Sequence, residues 1–387
     1  MTNGNPIAEE LGGYFKAEEP GRRERADAWA TAIGLQKVDG LTPSQFLFET
    51  AKEHIEGRIT QNQARRRIRD YYVAQGECAA IDPGKEEADK VSERIVAVLN
   101  DGGFAFTPEY FISIHAKLFR GVLSSAGKIR TVNIRKREWV LRDDSVTYGD
   151  AATIKQSLVR DFIDEREFDY GGKSLRKIIP HFARFIAQIW QVHPFGEGNT
   201  RTTAVFAIKY LRSLGFAVEN DVFRDNAWYF RNALVRANYA DYARGVRREW
   251  GYLESFFRNL LLGEKNEMKS RYLLVGLTEE DRRKIRELTE GVGRQRKAVR
   301  KGGKKTTQKT AQKTTQKTAS KILSVLRRNP HSTRQDIVVA TGLTDDGVKW
   351  NLRKLKAAGR LRRVGPDKGG RWEVILQRKK NQDETVD

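Results

Sequence analysis

His193 to Arg201 reads HPFGEGNTR, set between the apolar runs FARFIAQIWQV (182–192) and TTAVFAIKYLRSLG (202–215). Apolar residues at helical spacing on both sides predict two helices with a nine-residue connection. A simple helix–helix turn has no need of a histidine, a carboxylate, two glycines, an asparagine and an arginine. Their concentration marks the connection as a site and the flanking helices as its walls.

Each residue type brings a separate capacity. A histidine held at the end of a buried helix titrates near neutrality and can act as a general base, which is the role expected of His193. Phe195 is apolar enough to plug the loop into the core. Glu197 offers the hard oxygen that Mg²⁺ prefers when it also bridges substrate phosphates. Gly196 and Gly198 let backbone approach a ligand, and Asn199 adds a side-chain amide. The free N–H groups of the helix that starts near Thr200 favour an anion, and Arg201 supplies a fork of donors matched to phosphate oxygens. Base, metal ligand, anion cradle and guanidinium together point to phosphoryl or nucleotidyl transfer.

Outward from the motif the chain reads as mostly helical. TPSQFLFETAKEHIEG (42–57), TQNQARRRIRDYYVAQG (60–76), EEADKVSERIVAVLN (86–100) and TPEYFISIHAKLFRGV (107–122) precede it, with Thr42, Thr60 and Thr107 as expected caps and Pro108 at a first helical position. Period-two alternation at Val132, Ile134, Trp139 and Leu141, with Asp143-Asp144 as a turn, predicts a β-hairpin or extended flap over 130–148. Helices resume at 151–165 and at 174–192, where Pro180 predicts a kink or a late start. They continue through about residue 275.

Composition bounds the rest. The 387 residues exceed one ordinary core and predict two or three domains. No apolar run approaches the length of a membrane span, and the opening MTNGNPIAEELGGYF lacks a secretion-signal pattern, so a soluble cytoplasmic protein is expected. A single cysteine, Cys78, excludes an intramolecular disulfide and a thiolate metal cluster. From Gly291 onward there are 26 Lys and Arg against 8 Asp and Glu, so +18 of the net +22 lies there. Such a basic region on a nearly balanced body predicts a nucleic-acid partner for the tail. Residues 301–320, KGGKKTTQKTAQKTTQKTAS, are a low-complexity basic linker. Beyond them come three short capped helices and two β stretches, RLRRV (360–364) and RWEVIL (371–376), around GPDKGG.

HPFGEGNTR resembles the core motif of the Fic family, H-x-F-x-[D/E]-G-N-x-R, and the flap lies upstream where that family docks its targets. The resemblance covers about residues 40–275. It implies a mainly α helical bundle with a small β-hairpin flap, and transfer of AMP from ATP, with Mg²⁺, to a Ser, Thr or Tyr hydroxyl of a target protein. By the same resemblance His193 deprotonates the hydroxyl and Glu197 holds the metal. Gly196, Gly198, Asn199, Thr200 and Arg201 form the nucleotide site. The family's inhibitory pattern [S/T]-x-x-x-E-[G/N] is matched in part by KEHIEG (52–57), which makes Glu56 the candidate inhibitory residue. Position 200 is Thr where many members have Gly, and position 204 is Ala where AMP-transferring members often carry a second Arg.

The tail resembles a winged helix-turn-helix domain. Its third helix would present Lys349, Arg353, Lys354 and Lys356 to a DNA groove, with Arg362, Arg363 and Lys368 meeting phosphates. The domains expected are therefore an N-terminal helical region (1–100), a Fic-type catalytic domain (101–275), a basic linker (276–319), the winged domain (320–377) and a tail (378–387). Two other readings stay open: a transcriptional regulator whose Fic body senses a nucleotide or protein, and a transferase using a donor other than ATP. Homo-oligomerisation is left open as well.

Overall fold

The computed structural model describes residues 6–16, 19–78, 82–170, 173–216, 218, 221–278, 280–281, 283, 322–341, 348, 352, 355–356, 359–364 and 370–375. The backbone divides into two compact units, Met1–Thr278 and Glu279–Asp387. The linker 301–320, Lys349, Arg353, Lys354, Lys368 and the tail 378–387 lie outside the described residues.

The first unit is helical: α1 Pro6–Leu11, α2 Pro20–Leu35, α3 Gln45–Ile55, α4 Gln61–Cys78, α5 Pro83–Asn100, α6 Pro108–Phe119, α7 Ile154–Arg166, α8 Leu175–Val192, α9 Asn199–Ser213, α10 Asp221–Asn238 and α11 Gly251–Leu262. Side-chain caps begin several of them. Ser44, rather than Thr42, caps α3 by accepting from the Leu47 N–H, while Asp82 and Thr107 cap α5 and α6, each followed by proline. The helix α8 is continuous through Pro180 and buries Phe182, Phe185, Ile186, Ile189 and Trp190. It is walled by α7, α9, α10 and α11, which makes it the central helix. The helix α2, within the expected N-terminal helical region, packs Trp29 into the core and lies against α5 and α10. Its close approach to α10 depends on Gly34, where a Cβ would fall 2.4 Å from the Arg224 carbonyl oxygen. No helix among the described residues is long and apolar enough to cross a membrane.

The flap takes the extended form without strand pairing. Residues 133–138 and 144–150 run outside any helix or strand, and a 3-10 turn, Trp139–Leu141, forms the tip. The Glu138 N–H reaches across to the Asp144 carbonyl and the Asp143 N–H back to the Glu138 carbonyl, while the Lys136 N–H goes to the Ser145 hydroxyl. Arg142 and Asp143, both left-handed at φ 54° and 66°, complete the turn and end the register that a ladder would need.

In the second unit the described strands β1 Leu361–Val364 and β2 Arg371–Val374 pair antiparallel, with Arg363 opposite Trp372. A helical stretch at 322–328 and the helix Arg334–Thr341 precede them. Ile322, Leu326, Ile337, Leu352 and Leu355 share one core, with Trp372 packed against it.

Candidate active site

The nine-residue loop is held by backbone and side-chain contacts that leave one histidine nitrogen free. The helix α8 stops because His193 turns left-handed at φ 48° and ψ 60°, a conformation unfavourable for a residue with a side chain. Arg130 holds the turn. Its Nε donates to the His193 carbonyl at 2.8 Å, its Nη1 to the Val132 carbonyl at 2.7 Å, and its Nη2 to the Gly149 carbonyl. Its own N–H reaches the Pro194 carbonyl at 2.9 Å. Phe195 is fully buried, stacked 3.7 Å from the His115 ring at an interplanar angle of 10°. The side chain of Asn199 closes the loop on itself, accepting from the Phe195 N–H at 3.1 Å and donating to the Phe195 carbonyl at 2.7 Å. Gly198, at φ 76°, begins α9, and any Cβ there would lie 2.4 Å from the Phe119 ring.

His193 lies 3.1 Å through Nδ1 from the Trp190 carbonyl oxygen. A carbonyl can only accept, so the proton sits on Nδ1 and the lone pair on Nε2. Burial, reinforced by the nearby charges of Lys136, Arg231 and Arg130, holds its basicity well below that of an ordinary histidine, against the raising effect of the Trp190 carbonyl. The imidazole is therefore neutral at pH 7, as a base must be before it takes a proton. The Tyr148 ring lies 4.1 Å from it. Tyr148 also lines an open groove of about 910 Å³, together with Asn238, Tyr239 and flap residues on both sides of the turn.

Glu197 presents a carboxylate that is 65% exposed, with Lys136 Nζ at 3.0 Å. Its carbonyl accepts at 3.0 Å from Nε2 of His115, whose Nδ1 accepts the Gly127 N–H at 2.8 Å. Both nitrogens of His115 are thus spent on backbone, and burial takes its pKa down to about 4. Among the described residues no group of three or more His, Cys, Asp and Glu is placed to hold a metal. A single accessible carboxylate beside an anion cradle fits Mg²⁺, which takes one or two carboxylates and completes its shell with water and substrate phosphates.

Gly196 lies at the turn with open space around it. Thr200 and Arg201 stand in the first turn of α9. Thr200 accepts from the Trp190 indole at 3.0 Å, tying the start of α9 to the end of α8. Arg201 is 2% exposed and carries two carboxylates: Asp39 Oδ2 lies 2.8 Å from Nε and Glu87 Oε1 2.6 Å from Nη2. Gln36 accepts from Nη1 at 3.0 Å, and the Phe119 ring lies 4.8 Å under the guanidinium. The expected inhibitory residue is Glu56. It engages Tyr14, Arg22 and Arg58, and the acids on Arg201 are Asp39 and Glu87. The sequence reading also passed over Arg130 and His115. His115 carried a faint signal as the one histidine on the apolar face of α6, beside Phe111, Ile114, Leu118 and Phe119, and Arg130 carried none, because its partners are carbonyls.

Of the expected DNA-contacting residues, Lys356, Arg362 and Arg363 are described. Lys356 and Arg363 lie over the Trp372 ring at 5.2 and 4.7 Å, and Arg362 pairs across the hairpin with Glu373 at 2.7 Å. Two cations, Lys356 and Arg363, thus share one aromatic ring, while Arg362 is neutralised by a carboxylate on the neighbouring strand.

Two stretches of the chain match known families. Residues 105–211 match the Fic/DOC family, and residues 316–362 match the winged helix-turn-helix DNA-binding family. The chain is 25% identical over 167 residues to probable protein adenylyltransferase y4lH of Sinorhizobium fredii, covering 42% of this chain and 82% of that one. A transferase-type domain and a DNA-binding type of domain therefore occur in one polypeptide. Residues 105–211, with the His193 loop near their end, are a Fic/DOC domain, and residues 316–362 are a winged helix-turn-helix.

Proposed function

We propose that this protein transfers AMP from ATP to a Ser, Thr or Tyr hydroxyl of a target protein in the cytoplasm, and that its C-terminal unit binds DNA. The observation that carries the first part is the state of His193: a buried, neutral imidazole whose Nδ1 proton is committed to a carbonyl, leaving the Nε2 lone pair for a substrate. Nε2 takes the proton from the target hydroxyl as its oxygen forms a bond to the α-phosphorus. The bond from that phosphorus to the bridging oxygen breaks, and pyrophosphate leaves with the electron pair. Arg201 and the N–H groups opening α9 hold phosphate charge, with Gly196 and Gly198 admitting the phosphates close to backbone. Glu197 would hold Mg²⁺, which supplies charge neutralisation for the polyphosphate. Lys136, now paired with Glu197, is free to turn to phosphate once that carboxylate is engaged.

The open groove beside Tyr148 supports docking of an extended target segment along the flap, where unpaired backbone can add a strand with little sequence preference. The regulator reading keeps two observations in its favour, the winged domain and the alanine at position 204. The deciding experiment incubates the full chain with α-labelled ATP, GTP, UTP and CTP, Mg²⁺ and lysate. Protein labelling by ATP that disappears in His193→Ala is expected. Labelling by another nucleotide alone would reassign the donor, and none with any donor would favour the sensor.

A further inference from the structure

The motif supplies one arginine for phosphate, and position 204, one turn further along α9, is an alanine that is fully buried. A second guanidinium nevertheless stands beside the first. Arg231, on α10, places Nη1 3.3 Å from Asp39 Oδ1, while the other oxygen of the same carboxylate lies 2.8 Å from Arg201 Nε. One carboxylate therefore bridges two guanidiniums brought in from different helices.

We propose that Arg231 is the second phosphate-binding guanidinium of this site, and that Asp39 is the internal anion occupying the space between the two arginines until a polyphosphate replaces it. The proposal rests on the phosphate-transfer reading of the His193 loop and adds to it a residue and an occupant.

Three observations converge. First, the bridging is imperfect. Arg201 Nε, Arg231 Nε and Asp39 Oδ2 are buried, and none has a well-aligned hydrogen bond, although the first and last are only 2.8 Å apart. A phosphate, with oxygens on several sides, can satisfy two forks that one carboxylate cannot. Second, Arg231 is connected to the reacting base. Its Nη2 is bidentate to Glu138 at 3.0 and 3.1 Å, Glu138 accepts from Tyr148 at 3.2 Å, and the Tyr148 ring lies against His193. The two arginines, the acid between them and the base thus share one continuous chain of contacts. Third, Asp39 can leave. It closes a 3-10 turn, Gln36–Asp39, followed by left-handed Gly40 at φ 70°, and its side chain is 23% exposed. Glu138, by contrast, is buried and stays to neutralise Arg231.

The test uses inorganic tripolyphosphate, which has no nucleoside and no reacting bond to the target, and calorimetry on the full chain. Asp39→Asn keeps the shape of the turn but removes the competing charge, and it should tighten tripolyphosphate binding by about fivefold. Arg231→Lys keeps a positive charge for Glu138 and loses the fork, and it should weaken binding by about tenfold. In the Arg231→Lys background, Asp39→Asn should gain less than about twofold, because the competitor then guards only one guanidinium. The paired change Arg231→Met with Glu138→Gln removes one charge of each sign, so a fold that survives it still reports on binding, with weakening again expected. Unchanged affinities in the single variants, additive effects in the double variant, or no tripolyphosphate binding even by Asp39→Asn would each overturn the proposal. Loss of ATP labelling with polyphosphate binding intact would instead overturn adenylyl transfer and leave the two-arginine site standing.

Discussion

The carbonyl of Trp190 fixes which nitrogen of His193 is free, and this gives the residue a definite kinetic signature. His193→Ala should slow transfer by about 10²- to 10⁴-fold while nucleotide affinity, measured by calorimetry, changes less than about twofold. Since burial depresses its basicity, the active, unprotonated form persists below the ordinary histidine range. The transfer rate should then be flat from pH 6.5 to 8 and fall only in acid. A half-maximal rate at or above pH 7 would contradict the assignment. His115 makes a separate prediction about stability. It is neutral in the folded chain down to about pH 4, but an unfolded histidine takes a proton near pH 6.5. Within that window the unfolded state binds more protons, so stability falls as pH falls. His115→Gln should lose about 2 kcal/mol less than the parent between pH 7 and pH 5, read from urea midpoints. The residue types of the loop were legible in the sequence because their chemistry is written in their identities. The acids facing Arg201 were not, because Asp39 and Glu87 reach it only through the packing of α2, α5 and α10, and the sequence offers Glu56-Gly57 as an equally plausible carboxylate.

At the scale of elements, the turn between α8 and α9 depends on one position that admits no side chain. Gly198→Ala meets the Phe119 ring and a left-handed backbone together, and should destabilise the protein by about 2 to 4 kcal/mol. Adding Phe119→Ala should recover the steric part of that loss and not the backbone part. Full recovery, seen as a melting temperature equal to that of Phe119→Ala alone, would show that φ was never the constraint. Arg130→Lys tests the other half of the turn. A lysine cannot serve the carbonyls of His193, Val132 and Gly149 at once, so kcat should fall more than tenfold with KM little changed. Helices with periodic apolar faces and side-chain caps, such as α6 behind Thr107 and Pro108, were readable directly. The flap was readable as extended but not as unpaired. Its alternation is compatible with a ladder, and the groups that would form one are taken by Ser145 and by Arg130, which contacts the Val132 carbonyl.

For the whole molecule, the backbone divides at Thr278, and most of the net positive charge lies beyond Gly291 in the second unit. The full chain should bind duplex DNA, and a chain ending at Thr278 should not, while both label target protein alike. Arg362→Ala should weaken DNA binding across all sequences and lower the salt slope by about one unit, as loss of a phosphate contact does. In the C-terminal unit the described apolar residues Ile322, Leu326, Ile337, Leu352 and Leu355 share one core, with Trp372 packed against it. The contacts that shape the turn between α8 and α9 differ in kind from those expected at DNA: an imidazole on a carbonyl, an indole on a hydroxyl, and an amide folded onto its own loop. None is an ion pair, and all are buried, so dissolved ions reach them poorly. Ionic strength thus becomes a dial that separates the two halves of the protein. At a salt concentration high enough to strip it from the double helix, the chain should keep its full turnover at saturating nucleotide.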